Sequence, residues 1–193
     1  MRALILETST EKGLIVLSLN GTPIASLPLV GGPDLSRTLA LHVKNLLKTH
    51  SFMPTFIAVG TGPGSYTGIR VGAALAKALG FGWQIPIVGF CSLKAFQHAS
   101  ASAVLIDARM GGFYILKNFD DTPSQLSLEA AIDAFKNAPI LASPHPDLIQ
   151  KRLSIPSKWV ETAPDPALLA SLANELFLKG EFDTLKLSYL SSP

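Results

Sequence analysis

The residues best suited to chemistry lie in one run, Gly60-Thr61-Gly62-Pro63-Gly64-Ser65-Tyr66-Thr67-Gly68-Ile69-Arg70-Val71-Gly72. The apolar stretch Phe56-Ile57-Ala58-Val59 precedes it and a helical pattern follows. A glycine-rich turn from a strand into a helix can offer free N–H groups and the positive helix end to an anion. Gly62, Gly64, Ser65 and Thr67 would line such a cradle, with Arg70 one turn further on. The run lacks the Gly-Lys-Ser/Thr of a Walker A loop. It also lacks the dinucleotide fingerprint, because the third glycine position holds Ser65. A tight turn that needs glycine for its dihedrals accounts for the same residues. Both readings are open at this level.

Other candidates are sparse. Glu7 and Thr8 end the first apolar run, where a lone carboxylate makes a poor metal site. Asp107 and Arg109 flank a hairpin turn and read either as a turn-stabilising pair or as part of a ligand site. His42, His50, His98 and His145 have no metal-ligand spacing. Ser65 lacks the Gly-x-Ser-x-Gly context of a serine hydrolase. Cys91, the single cysteine, reads as a small apolar residue in a reducing compartment, and the expected location is the cytoplasm.

The elements that must position these residues are legible. Ala3–Leu6, Leu14–Leu19 and Pro23–Val30 read as strands, with Asn20-Gly21 as a hairpin turn. A helix capped by Asp34 or Ser36 runs to Thr49, with Leu35, Leu39, Val43, Leu46 and Leu47 on one face. Phe56–Gly60 is a buried strand and Thr67 opens a second helix that ends near Gly80–Gly82. Ile85–Gly89, Ala103–Asp107 and Phe113–Leu116 are further strands, and Ser92–Ala99 a short helix. Beyond Asn118 the expected elements are a strand over Pro139–Ala142 and helices over Leu128–Asn137, Pro146–Leu153 and Pro166–Lys179. Strands followed by strand–helix alternation give an α/β class: a mixed sheet flanked by helices.

The second helix is unusual. Between Ile69 and Leu79 only Arg70 and Lys77 are charged. Gly68, Gly72, Ala76 and Gly80 repeat every fourth residue, and small residues at that spacing let another backbone come close. A helix apolar on most of its circumference is buried on more than one side. The expectation is therefore a partner surface made of Leu39, Val43, Leu46, Gly68, Ile69, Gly72, Ala73, Ala76, Leu79 and Gly80, against a central helix of the chain's own core.

Composition supports hidden surface. Hydrophobic residues make up 48% of the 193 residues and charged ones 16%, against about 25% charged in ordinary soluble domains. Mean hydropathy is +0.35. No membrane span is expected, because Val71–Leu93 is interrupted by Lys77, Gln84, Pro86 and glycines. The net charge of +2 is scattered, which argues against tight RNA binding by this chain alone.

Four segments resemble the TsaB (YeaZ) family: Leu6-Glu7-Thr8-Ser9-Thr10-Glu11, Gly62 to Gly72, Gly89-Phe90-Cys91-Ser92-Leu93 and Ile106-Asp107-Ala108-Arg109-Met110-Gly111. The likeness covers about the first 117 residues and reappears weakly at Tyr189-Leu190. It implies an actin/Hsp70-like, ribonuclease-H-type fold, with a first lobe over residues 1–100 and a reduced second lobe over 101–193. It also implies a non-catalytic scaffold in tRNA threonylcarbamoyladenosine synthesis. Such a scaffold binds and activates a TsaD-type transferase, is joined by a TsaE-type ATPase, reaches tRNA only through the complex, and forms a homodimer through the same helices. No cofactor is then expected on this chain, ATP and a metal ion belonging to the partner subunits. The alternative is a small nucleotide-binding ATPase or a glycopeptidase-like hydrolase acting through Glu7 and Asp107. This chain departs from the family pattern in having Glu7 where many relatives have Asp, and in lacking the His-x-x-x-His pair of the catalytic relatives.

Overall fold

The computed structural model describes residues 1–32, 34–182 and 185–188. Tyr189 and Leu190, which carry the C-terminal part of the resemblance, lie outside the described residues. The chain forms two compact units, residues 1–92 with 164–187, and residues 93–163.

In the first unit β1 (Arg2–Glu7), β2 (Lys12–Leu19) and β3 (Thr22–Val30) form the expected antiparallel meander. Asn20 and Gly21 turn between β2 and β3 with φ of 49° and 81°. Two positive φ values in a row match the right-handed twist of the strands, which is why Asn-Gly sits here. The helix α1 (Leu35–Thr49) follows, then β4 (Phe56–Gly60), α2 (Tyr66–Trp83) and β5 (Ile87–Phe90). The sheet order is β3-β2-β1-β4-β5, with β4 parallel to β1 and β5 parallel to β4. β1 and β4 are central and covered on both sides, so nearly every residue in them is buried.

Alternate residues of these strands serve opposite faces. Leu4, Leu6, Ile57 and Val59 pack with Leu39 and Val43 of α1 and Ala76 of α2. Phe56 points the other way and meets Phe177 with ring centroids 4.2 Å apart. Phe177 belongs to the last helix, Pro166–Leu178, which is capped by the Asp165 carboxylate accepting from the N–H groups of Ala167 and Leu168. The last helix thus covers the second face of the first sheet. Where a boundary at residue 100 gave all later residues to the second lobe, residues 164–187 return to the first.

The second unit holds β6 (Val104–Asp107), β7 (Phe113–Leu116), β8 (Ser124–Leu126), α3 (Leu128–Phe135), β9 (Ile140–Ser143), α4 (Pro146–Leu153) and β10 (Lys158–Glu161). The last helix, Pro166–Leu178, is α5. The order β10-β9-β6-β7-β8 repeats that of the first sheet: an antiparallel meander of three strands, then two parallel strands beside its first member. This is the ribonuclease-H-type topology used twice, the actin-like arrangement. The second lobe keeps all five strands and is reduced in their length, none exceeding four residues. Its core gathers Leu105, Phe113, Ile115, Phe135, Leu141, Ile149 and Leu153. Residues 92–96 form one 3-10 turn in place of the expected helix to Ala99. No helix among the described residues is long and apolar enough to cross a membrane.

Candidate functional site

Glu7 is the last residue of β1 and is fully buried. Its Oε1 accepts the Ser9 N–H at 2.6 Å. Its Oε2 has no hydrogen-bond partner. A carboxylate removed from water is disfavoured relative to the neutral acid. Burial accordingly raises the Glu7 carboxyl to about 6, with the Ser9 hydroxyl and N–H, the Ser92 hydroxyl and the Thr8 N–H pulling the other way. The hydroxyls lie near the carboxyl without completing a bond to Oε2. Gly60 leaves the room: a Cβ there would meet both Glu7 Oε2 and Ser92 Oγ.

The glycine-rich run folds back on this strand end. Ser65 N–H donates to the Ser9 carbonyl at 2.7 Å, and the Thr8 hydroxyl donates to the Gly68 carbonyl at 2.8 Å. Gly62 N–H donates to Ser92 Oγ at 3.1 Å, and Ser92 N–H returns a bond to the Gly62 carbonyl at 2.9 Å. Ser65 is the N-cap of α2, its Oγ accepting the Gly68 N–H at 3.3 Å. Gly62 has φ of 99° and Gly64 of 156°, and a Cβ on Gly64 or Gly68 would strike the Ser9 or Thr8 carbonyl. Conformation and close approach therefore explain these glycines, and the amides of Gly62, Ser65 and Gly68 are committed within the chain. Thr67 and Arg70 lie on the outer side, the Arg70 guanidinium 3.8 Å over the Tyr66 ring.

Asp107 and Arg109 form a second, separate arrangement at the end of β6. Arg109 N–H donates to Asp107 Oδ1 at 2.7 Å, and Arg109 holds φ of 58°. Arg152 of α4 pairs with Asp107, and its Nη2 donates to the Arg109 carbonyl at 3.0 Å. The Arg152 guanidinium also sits 4.8 Å from the Phe113 ring centroid. One ion pair thus grips both ends of the Arg109 peptide backbone and holds a conformation that L-residues other than glycine and asparagine avoid. The Arg109 side chain itself is exposed.

The expected partner surface needs correction. Gly68, Ile69, Gly72, Ala73, Ala76 and Gly80 are buried within the chain, as are Leu39 and Val43, while Leu46 and Leu79 are half-buried. A Cβ on Gly72 would strike Thr8 Oγ1, and one on Gly80 would lie 2.7 Å from Ile87 Cδ1. The close neighbours that the glycines admit are the Thr8 carbonyl at Gly68, the Thr8 side chain at Gly72 and the Ile87 side chain at Gly80. The outer face of α2 carries Thr67, Arg70, Ala74, Lys77, Ala78 and Phe81. Beside it α1 exposes Ala40, Leu41, Lys44 and Asn45.

Sequence reasoning missed Ser9, Ser92 and Arg152. Ser9 and Ser92 stand in segments that carry the family resemblance, yet Ser9 read as turn material and Ser92 as the start of a short helix, with nothing to tie either to Glu7. Arg152 sits 45 residues from its partner Asp107, with no spacing to betray it. Among the described residues no group of three or more His, Cys, Asp or Glu side chains could hold a metal ion.

A family model described as TsaD, tRNA N6-adenosine threonylcarbamoyltransferase, matches residues 28–166. The tRNA threonylcarbamoyladenosine biosynthesis protein TsaB of Escherichia coli is 36% identical over 124 residues, which is 59% of this chain and 53% of that protein. Its Haemophilus influenzae counterpart is 31% identical over 121 residues, 58% of this chain and 51% of that protein. The chain thus spans about half the length of the curated relatives it matches. A Pseudomonas aeruginosa structure, described as an uncharacterized protein with similarity to peptidase YEAZ, has a TM-score of 0.76 at 22% identity. That alignment covers 99% of this chain and 98% of that one. YeaZ from the same organism has a TM-score of 0.72 at 21% identity, covering 98% and 99%. At such identity the structural likeness establishes the fold.

Proposed function

The chain belongs to the family described by that model, and within it to the TsaB (YeaZ) proteins; from this premise we propose that it serves tRNA threonylcarbamoyladenosine synthesis as an accessory subunit docking on a TsaD-type transferase. The docking surface in this reading is the outer face of α1 and α2. What supports it is one observation: Phe81 is 89% exposed and Leu41 and Tyr66 are each 55% exposed, with Ala74 and Ala78 between the charged positions. Exposed aromatic and aliphatic side chains on a rigid helix pair are the kind of anchors that protein interfaces use.

The same face would serve a homodimer of this chain, so the transferase and a second copy would compete for it. A TsaE-type ATPase joins the complex in this reading, ATP and metal ion are held by the partner subunits, and tRNA is reached through the assembly. The alternative, a small nucleotide-binding ATPase or glycopeptidase-like hydrolase acting through Glu7 and Asp107, is served less well. The Glu7 carboxyl is sealed beneath the loop over residues 61–68, where substrate would have to displace protein, and the Asp107 carboxylate is engaged by Arg152 and the Arg109 N–H.

Light scattering after gel filtration tests the proposal, with this chain alone and then mixed with its own organism's TsaD-type protein. The expected result is a one-to-one complex that forms at the expense of any homodimer. A folded chain that stays apart from the transferase at micromolar concentration would overturn it.

A further inference from the structure

The Glu7 carboxyl connects both ends of the glycine-rich loop. On one side its Oε1 accepts the Ser9 N–H at 2.6 Å, and the Ser9 carbonyl accepts the Ser65 N–H at 2.7 Å. On the other side Oε2 lies with Ser92 Oγ over the space that Gly60 leaves empty, and Ser92 is bonded to Gly62 through both its N–H and its Oγ. So the loop over residues 61–68 is tied at each end to a serine that borders one carboxyl. That carboxyl is fully buried and its Oε2 is unpartnered.

Among the described residues no countercharge acts on it. From β2 it faces Leu14 and Gly13, from β4 Gly60, and from the turn after β1 Thr8 and Ser9. Arg2 of β1, Glu11 and Lys12 beyond its end, and Arg70 of α2 all lie at least partly at the surface, and neighbouring charge does not contribute to the raised carboxyl. A buried ion without a partner is strongly disfavoured, and a small displacement that admits water relieves it.

We propose that Glu7 is a proton-operated latch on the glycine-rich loop: as the neutral acid it stays sealed beneath the closed loop, and as the carboxylate, fully buried and without a countercharge, it makes the loop and the first turn of α2 lift to hydrate the charge. The proton leaves to solvent and returns from it. With the carboxyl raised to about 6, the change falls where ordinary carboxylates are already charged. The latch concerns this chain alone and stands whether or not the docking reading does.

Nuclear magnetic resonance on the full chain tests it, from about pH 4.5 to about pH 8. The Glu7 side-chain carbon and the amides of Gly62, Ser65 and Gly68 are followed together. The latch requires all four to move with one midpoint, and the exchange protection of the three amides, corrected for intrinsic rate, to fall about tenfold or more above it. Glu7→Gln should keep the loop protected throughout. Loop amides that pass through the Glu7 midpoint unmoved would overturn the latch, as would a Glu7 that titrates as an ordinary surface carboxylate. If Glu7→Gln does not fold, Ser92→Ala decides. Loss of a hydroxyl that favours the carboxylate should raise the Glu7 midpoint, and the Ser65 and Gly68 amides should move to that new midpoint, whereas amides that stay at the wild-type midpoint sink the proposal.

Discussion

Glu7 and Asp107 occupy one position in two copies of a topology. Each is the last residue of the first strand of its sheet, and each carboxylate accepts the backbone N–H two residues further on, Ser9 at 2.6 Å and Arg109 at 2.7 Å. Their surroundings then differ. Glu7 is sealed among hydroxyls and backbone, whereas Asp107 is one-third exposed and paired with Arg152. The same strand end therefore holds a carboxyl that keeps its proton to higher pH than usual in one unit and an ion pair in the other.

The first consequence is a pH dependence of stability. The folded chain raises the Glu7 carboxyl from 4.5 to about 6, so the folded state binds the proton more tightly than the unfolded state does. Its contribution is fully present below pH 4.5 and is lost as pH rises through about 6. The size is about 2 kcal/mol between the two limits. Urea unfolding of the wild type at a series of pH values should show this slope. Glu7→Gln should flatten it and be the more stable of the two at about pH 8. Parallel profiles for the two proteins would mean that Glu7 does not titrate in this way.

The small-residue stripe of α2 belongs to the core. Gly68→Ala drives a methyl into the Thr8 carbonyl, and Gly72→Leu drives a side chain into Thr8 Oγ1. The Thr8 carbonyl cannot yield as a flexible side chain does, and Gly72→Leu forces a whole side chain into a packed face, so each change should cost about 2 kcal/mol or more. The chain should lose urea resistance before any question of association arises. A Gly72→Leu protein as stable as wild type would restore the stripe to the surface.

The turn after β6 is held by a pair that is about one-third exposed, with 34% and 33% of the two side chains accessible. Solvent screens such a pair, so Arg152→Ala should cost no more than about 1 kcal/mol. The stronger signature lies in the backbone. At φ of 58°, Arg109→Gly should be neutral or stabilising by up to about 1 kcal/mol, while Arg109→Val should destabilise by about 1 kcal/mol or more. Thermal unfolding of the two variants separates them. Equal melting temperatures would mean that the left-handed conformation carries no strain.

Much of the first unit was legible because its signals are local. Asn20-Gly21 specifies its turn through two positive φ values, and the continuous burial of β1 and β4 follows from apolar runs that suit a central strand covered on both faces. The misreading of α2 has a physical cause. Small residues at every fourth position say that something comes close, and Thr8, sixty positions before Gly68, gives no sequence sign that it is the neighbour of Gly68 and Gly72. The short strands Ser124–Leu126 and Lys158–Glu161 escaped because three or four mixed residues carry no period. The role of α5 escaped for a related reason: its apolar residues announce burial without naming the sheet. Hence the sequence pointed to surplus apolar surface, and part of that surplus was the chain's own second layer.

What remains for a partner is the outer face of α1 and α2, and there the core and docking readings part experimentally. Phe81 is 89% exposed and Leu41 55% exposed, so Phe81→Asp and Leu41→Asp remove little that the isolated chain buries. Each should leave urea stability within about 0.5 kcal/mol of wild type. Anchors of this type at an interface centre are worth about 2 kcal/mol or more, which is a loss of roughly thirtyfold in affinity for the TsaD-type subunit. Titration calorimetry on the folded variants measures it. Gly72→Leu serves as the contrast, since it should weaken association only to the extent that it unfolds the chain. Wild-type affinity in both aspartate variants would leave the transferase no use for this face, and the exposed Phe81 would then have to be explained without it.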